Sequence, residues 1–159
     1  MAVNEGSKYT NFANVAIGTA NGGGLLTVGG LQQNLGKLTS ITADTTLVAA
    51  DSGKTYILDA VGEDIVLPAV TTSGFNVMFI CAADVITTNW QIQSAEGDNI
   101  SGPLVVAGAA VPAAAEDFIN IVASAALIGD WVSLYCDGTQ WLVRGVGNGA
   151  GAITATDPA

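Results

Sequence analysis

"GDWVSLYCDGTQWLVRG", residues 129–145, sets two alternating runs on either side of Asp137-Gly138. An Asp-Gly pair in that context signals a two-residue hairpin, because a type I′ turn requires positive φ at both central positions. Such a turn puts Cys136 opposite Thr139, Leu134 opposite Trp141 and Val132 opposite Val143. One face then collects these apolar residues. The other carries Trp131, Ser133, Tyr135, Gln140, Leu142 and Arg144, with Arg144 opposite Trp131 in cation–π reach. A slip of one residue would exchange the two faces, so the sorting itself supports the hairpin. Cys136 points inward among apolar neighbours, where burial raises a thiol's pKa and makes it inert. The stretch reads as architecture, although it holds a cysteine, an aspartate, a threonine and two tryptophans.

Back to Ser40 the chain keeps the same texture: short β-branched runs broken by turn residues, about eight strands in all, the pattern of an all-β domain. "KTYILDA" and "DIVLP" flank Val61, Gly62 and Glu63 as a tight hairpin ended by Pro68. "FNVMFICA" has one strongly apolar face (Phe75, Val77, Phe79, Cys81) and a second that is largely apolar, which predicts a central, covered strand. "WQIQS" alternates cleanly and reads as half-exposed. Residues 107–115 form an alanine-rich crossing, in which Gly108 and Pro112 argue against a helix. The expected architecture is a β-sandwich or jelly-roll-like body over residues 40–146, between an extended N-terminal arm (1–39) and a Gly/Ala-rich tail (147–159) that is mobile or completed by a neighbour.

The arm lacks sustained helical or strand periodicity, and its glycines oppose a helix. Yet Tyr9, Phe12, Val15, Ile17, Leu25, Leu26 and Leu31 are too apolar for a solvated linker. Segments of this kind become ordered against another surface, and these seven residues are the expected partner contacts.

Composition narrows function more by exclusion than by assertion. Of 159 residues, 50% are hydrophobic and only 11% charged, well under the roughly 25% of an average soluble protein, so much of the surface is expected to be hidden. The apolar runs are interrupted by Gly and Pro and fall short of the ~20 residues that span a bilayer. The opening residues lack the n- and h-regions of a signal peptide, and folding is expected where the chain is made, in the cytoplasm. Four Lys and Arg against fourteen Asp and Glu leave a formal charge of -10, which repels phosphate backbones and anionic lipid alike. Neither nucleic acid nor a membrane is an expected partner. Cys81 and Cys136 permit one disulfide without demanding it, and both read as buried free thiols.

The chain has no histidine, which removes the usual base of Ser and Cys nucleophiles and the commonest zinc ligand. Paired acids at Glu63-Asp64, Glu96/Asp98 and Glu116-Asp117 read as solvated corners before glycosidase carboxylates. "EGDN" has too few ligands for a calcium loop of the EF-hand type. The glycine clusters lack the context of a phosphate loop. No enzyme activity, cofactor or metal is expected. By the hairpin register Trp141 belongs to the core, so Trp131, Tyr135 and Arg144 are the candidate exposed aromatic patch.

Residues 41–70, "ITADTTLVAADSGKTYILDAVGEDIVLPAV", followed by "GDNISG" and "GDWVSLYCDGTQWLV", resemble small virion structural proteins of tailed bacteriophages, among them head decoration (cement) proteins and fibre-associated modules. The likeness covers most of residues 41–146 and consists of folding motifs, with no catalytic residue to carry over. It implies a β-module of the virion surface more than any one station on the particle; the expected role is on the outer surface of the phage head, stabilising the shell by bridging capsid subunits. Its partners would be the major capsid protein, sister copies in a homotrimer and a neighbouring decoration protein. The alternative is a trimeric tail-fibre or receptor-binding module that recognises host glycans.

Overall fold

The computed structural model describes residues 24–28, 31–35, 38–84 and 87–157. Its strands are β1 (Gly24–Val28), β2 (Leu31–Leu35), β3 (Leu38–Ile41), β4 (Thr45–Thr46), β5 (Thr55–Leu58), β6 (Asp64–Val66), β7 (Asn76–Cys81), β8 (Trp90–Gln93), β9 (Ile100–Val106), β10 (Ala109–Glu116), β11 (Phe118–Ile121), β12 (Trp131–Cys136), β13 (Trp141–Gly147) and β14 (Ile153–Thr156). A seven-stranded sheet runs β10-β9-β13-β12-β7-β5-β3, and a five-stranded sheet runs β14-β11-β8-β6-β4. They pack as a β-sandwich, which is the first of the two forms expected.

The route through the sandwich differs from a chain of hairpins. β3, β5 and β7 lie parallel in the large sheet while β4, β6 and β8 lie parallel in the small one. The chain therefore coils three times, laying one strand on each sheet per turn. The segment 59–63, expected to close a tight hairpin, is instead a corner that changes sheets. Its stacking on the next corner explains this: Thr88 Oγ1 donates to Gly62 O (2.9 Å), Trp90 Nε1 donates to Asp59 O (3.0 Å), and a Cβ on Gly62 would stand 2.2 Å from Asn89 O. Only a glycine lets the two corners approach so closely.

The remaining strands close the sandwich, largely by antiparallel pairing. β12 pairs with β7 and β13, and β8 with β11. β9 and β10 form a hairpin through Ala107 (φ 49) and Gly108 (φ 78), so the alanine-rich stretch is a strand whose two-residue turn has the positive φ values of type I′. β10 is an edge strand, where Pro112 is tolerated. The segment expected as a C-terminal tail holds β14, which pairs with β11 and buries Ala152 and Ile153. Gly- and Ala-rich composition there reflects close packing: a Cβ on Gly149 would meet Ala125 O at 2.1 Å.

Alternation sorts the side chains. Tyr56, Leu58, Val77, Phe79, Leu134, Trp141 and Val143 face inward from the large sheet, and Ile65, Trp90, Ile92, Ile119 and Ile121 meet them from the small one, all buried. Tyr56 stacks on Phe79 with centroids 5.7 Å apart, and Phe75 meets Trp141 edge-on, geometries that aromatic quadrupoles favour. Upstream of the body, β1 and β2 form an antiparallel hairpin with Val28 opposite Leu31. The arm thus contains strand structure that its weak periodicity concealed. Leu25, Leu26 and Leu31 lie on this hairpin; Tyr9, Phe12, Val15 and Ile17 lie outside the described residues.

Candidate functional site

The hairpin of residues 131–147 is present, with a register two residues from the expected one. Cys136 faces Trp141, Leu134 faces Val143, Ser133 faces Arg144 and Trp131 faces Val146. The connection is a four-residue loop, 137–140, closed by the Asp137 carboxylate. Its Oδ1 accepts the Thr139 hydroxyl (2.7 Å) and the N–H groups of Thr139 (2.7 Å) and Gln140 (2.9 Å). Such local bonds let an aspartate organise a turn by itself. They hold its pKa at about 2, the Thr139 hydroxyl contributing most. Because a shift of two preserves side-chain parity, the inward and outward sets survive unchanged.

Neither thiol is poised for chemistry. Cys136 Sγ donates to Val70 O (2.9 Å), and burial pushes its pKa up. Cys81 is pushed up to about 12 by burial and then by the Asp130 carboxylate. Both are free and buried, as expected from the sequence.

The corrected register changes the aromatic patch. Tyr135, Leu142 and Arg144 line a surface hollow of ≈ 370 Å³, while Trp131 stands farther along the same face, half-buried. Arg144 is across from Ser133, so the expected pairing with Trp131 is replaced; among the described residues the cation–π contact is Lys54 over Tyr56, at 5.9 Å. The outward positions of the whole large sheet line up in cross-strand rows. One row runs Ser40, Ile57, Ile80, Trp131, Val146, Val105, Ala110 across all seven strands. A second runs Leu38, Thr55, Met78, Ser133, Arg144, and a third runs Asn76, Tyr135, Leu142, Ser101, Ala114. Leu38 is 65%, Tyr135 51%, Leu142 41% and Val105 40% exposed, so this face keeps large apolar side chains in contact with solvent. Among the described residues, Arg144 is the one charge at these outward positions, and no described carboxylate pairs with it.

The small sheet's outer face has the opposite chemistry. Gln91 Nε2 donates to Asn120 Oδ1 (3.3 Å), and Asn120 Nδ2 donates to Thr156 Oγ1 (3.1 Å), an amide and hydroxyl ladder. Acids gather at the ends of that sheet: Glu96, Asp117 and Asp157 beside Asn99 and Phe118 around a hollow of ≈ 680 Å³, and Asp44, Glu63 and Asp64 around one of ≈ 480 Å³. Several of the carboxylates have structural duties. Asp44 Oδ1 accepts the Asp64 N–H (2.9 Å), and Asp98 Oδ2, in the "EGDN" turn, accepts the Val70 N–H (3.1 Å). Among the described residues, no three His, Cys, Asp or Glu side chains gather where they could hold a metal ion. No described helix is long and apolar enough to cross a membrane.

The sequence patch thus located one part of a larger surface. Ile57, Ile80, Val105, Leu142 and Val146 belong to it; Leu142 stood on the outward side of the expected hairpin, whereas the other four join it only through the sheet order. No family model matches the chain, and no curated protein matches it.

Proposed function

We propose that this chain is a decoration protein of a phage head, which binds the outer shell surface and bridges capsid subunits through the outer face of its seven-stranded sheet together with the N-terminal arm. The observation that carries this reading is the contrast between the two faces. One is apolar around a single guanidinium; the other is a polar ladder with acids at its ends. Exposed apolar patches larger than a few hundred Å² mark contact surfaces. Interface centres are depleted in charge and enriched in aromatic residues and Arg, which describes Trp131, Tyr135 and Arg144 amid aliphatic neighbours.

The work is mechanical. Internal pressure pulls subunits apart, and a protein gripping two of them raises the free energy of separation without making or breaking bonds. A homotrimer suits the three-fold positions of a shell, with the major capsid protein and an adjacent decoration protein as neighbours. The acidic remainder of the molecule discourages non-specific association. Glycan recognition, the fibre-module alternative, is less well served: Trp131 is half-buried and flanked by Ile80 and Val146, which offer a sugar no hydrogen-bond partners.

The test is co-sedimentation of purified protein with undecorated shells. Replacing Tyr135 and Leu142 together by Asp should weaken binding by about 100-fold or more while the far-ultraviolet spectrum stays unchanged, since central aromatic contacts dominate interface energy. Unchanged binding by the double variant would overturn the reading.

A further inference from the structure

We propose that the hollow bounded by Tyr135, Leu142 and Arg144 receives one carboxylate, that of an Asp or Glu side chain set among apolar residues on the protein that docks against the outer face of the seven-stranded sheet. The inference rests on the reading of that face as a contact surface and names the chemistry of what meets it. It begins with a charge that lacks a counter-ion. Lys54 and Arg144 are the basic residues among those described. Lys54 is bound to the Asp51 carboxylate, whereas no described carboxylate pairs with Arg144, although the chain holds fourteen acids. Asp137, the acid that follows β12, is committed to its own loop: its Oδ1 accepts the Thr139 hydroxyl and the Thr139 and Gln140 N–H groups.

The surroundings of the guanidinium decide what can pair with it. Tyr135 and Leu142, both exposed, wall the hollow of ≈ 370 Å³ with apolar surface. Ser133, opposite Arg144, donates its hydroxyl to Val77 O (3.4 Å), so its proton is already used and the anion-binding group at this point is the guanidinium. A partner that closes over the hollow takes water from Arg144, and a buried guanidinium left unpaired is strongly destabilising. One positive charge among apolar side chains is balanced by one negative charge. A dianion such as a phosphate group would carry surplus charge into the same surroundings, and the formal charge of -10 repels polyanions in any case. The planar fork of Arg matches the two oxygens of a carboxylate, while the Tyr135 and Leu142 walls take the methylenes of the incoming side chain and its apolar neighbours. Two copies placed face to face here would instead set guanidinium against guanidinium, which a low local dielectric penalises.

The first test needs no shell. Isovalerate, a branched aliphatic monocarboxylate, is titrated into the full-length chain at constant ionic strength, beside its neutral twin isovaleramide and inorganic phosphate, with the Arg144 Nε–H and the Tyr135 and Leu142 amide resonances followed by NMR. Isovalerate should saturate these shifts with a dissociation constant of about 10 mM, the affinity open to so small a ligand, and the amide and phosphate should each bind at least about fivefold more weakly. Arg144→Gln should abolish the preference for isovalerate over the amide, and Arg144→Lys should keep part of it. Equal binding of carboxylate and amide, equal binding of phosphate, absence of saturable shifts, or an unchanged preference in Arg144→Gln would each overturn the proposal. The second test is co-sedimentation with undecorated shells, where Arg144→Gln should weaken binding at least about tenfold, as loss of one member of a buried charge pair does. Loss of binding by the Tyr135 and Leu142 double variant with none by Arg144→Gln would strike the carboxylate and leave the decoration reading standing. Selective isovalerate binding by a protein that ignores shells would do the reverse.

Discussion

Asp137 shows how one side chain sets a register. Its carboxylate gathers the Thr139 hydroxyl and the Thr139 and Gln140 N–H groups, and the hairpin opens to four residues where the Asp-Gly pair had suggested two. The folded-state pKa of about 2 lies below the ordinary 3.8, so the sign of the linkage is fixed: the contribution is present above about pH 4 and is lost as pH falls through about 2. Asp51 is also lowered. Burial pushes it up, but that is outweighed by hydrogen bonds from Lys54, the Val48 N–H and Tyr56, so it adds to acid sensitivity in the same direction. Asp137→Asn keeps an acceptor and removes the charge. Its melting temperature should therefore fall less steeply than the parent's between pH 4 and pH 2, as followed by circular dichroism. Parallel curves would show that the loop bonds contribute no charge-dependent stability.

At the scale of elements, a two-residue turn sits where its residues are less obvious: Val106 faces Ala109 across Ala107 and Gly108. Ala107 holds φ 49, a left-handed conformation that costs an ordinary residue about 1 kcal/mol and that Asn tolerates better. Ala107→Asn should stabilise the protein by about 0.5–1 kcal/mol in urea unfolding, a gain typical of conformationally matched turn residues; a loss would mean the turn is held by contacts of the Ala107 methyl.

The same elements show what was legible. Alternation marked the inward sets of β7, β8, β12 and β13 correctly, because period-two sorting is a local property of the strand. Whether two strands pair depends on non-local contacts, and there the reading failed: "KTYILDA" and "DIVLP" are consecutive but lie on different sheets. The candidate patch was legible as Tyr135 and Arg144. Its extension through Ile57, Ile80, Val105 and Val146 was not, because only sheet order brings those strands side by side.

For the whole molecule, the decisive question is where the cooperative unit begins and ends. Among the described residues the buried core runs from Ile41 to Ile153, so the body starts with β3 and finishes with β14. Removing residues 150–159 would strip Ala152 and Ile153 from the core, open the outer edge of β11 and leave the Asn120 amide without Thr156. Burial of one Ile side chain is worth about 1.5–3 kcal/mol, and the lost pairing and stranded polar group add to it, so the cost should be at least about 3 kcal/mol in urea unfolding. Removing residues 1–23 touches no described core member. Ordering any segment costs roughly 1–2 kcal/mol per residue, so residues outside a packed core add little net stability. That shorter chain should keep one cooperative transition and lose under about 1 kcal/mol. If the order were reversed, with the N-terminal cut the more damaging, the arm would be part of the folding unit, and its proposed use as a separate grip on capsid subunits would be physically excluded.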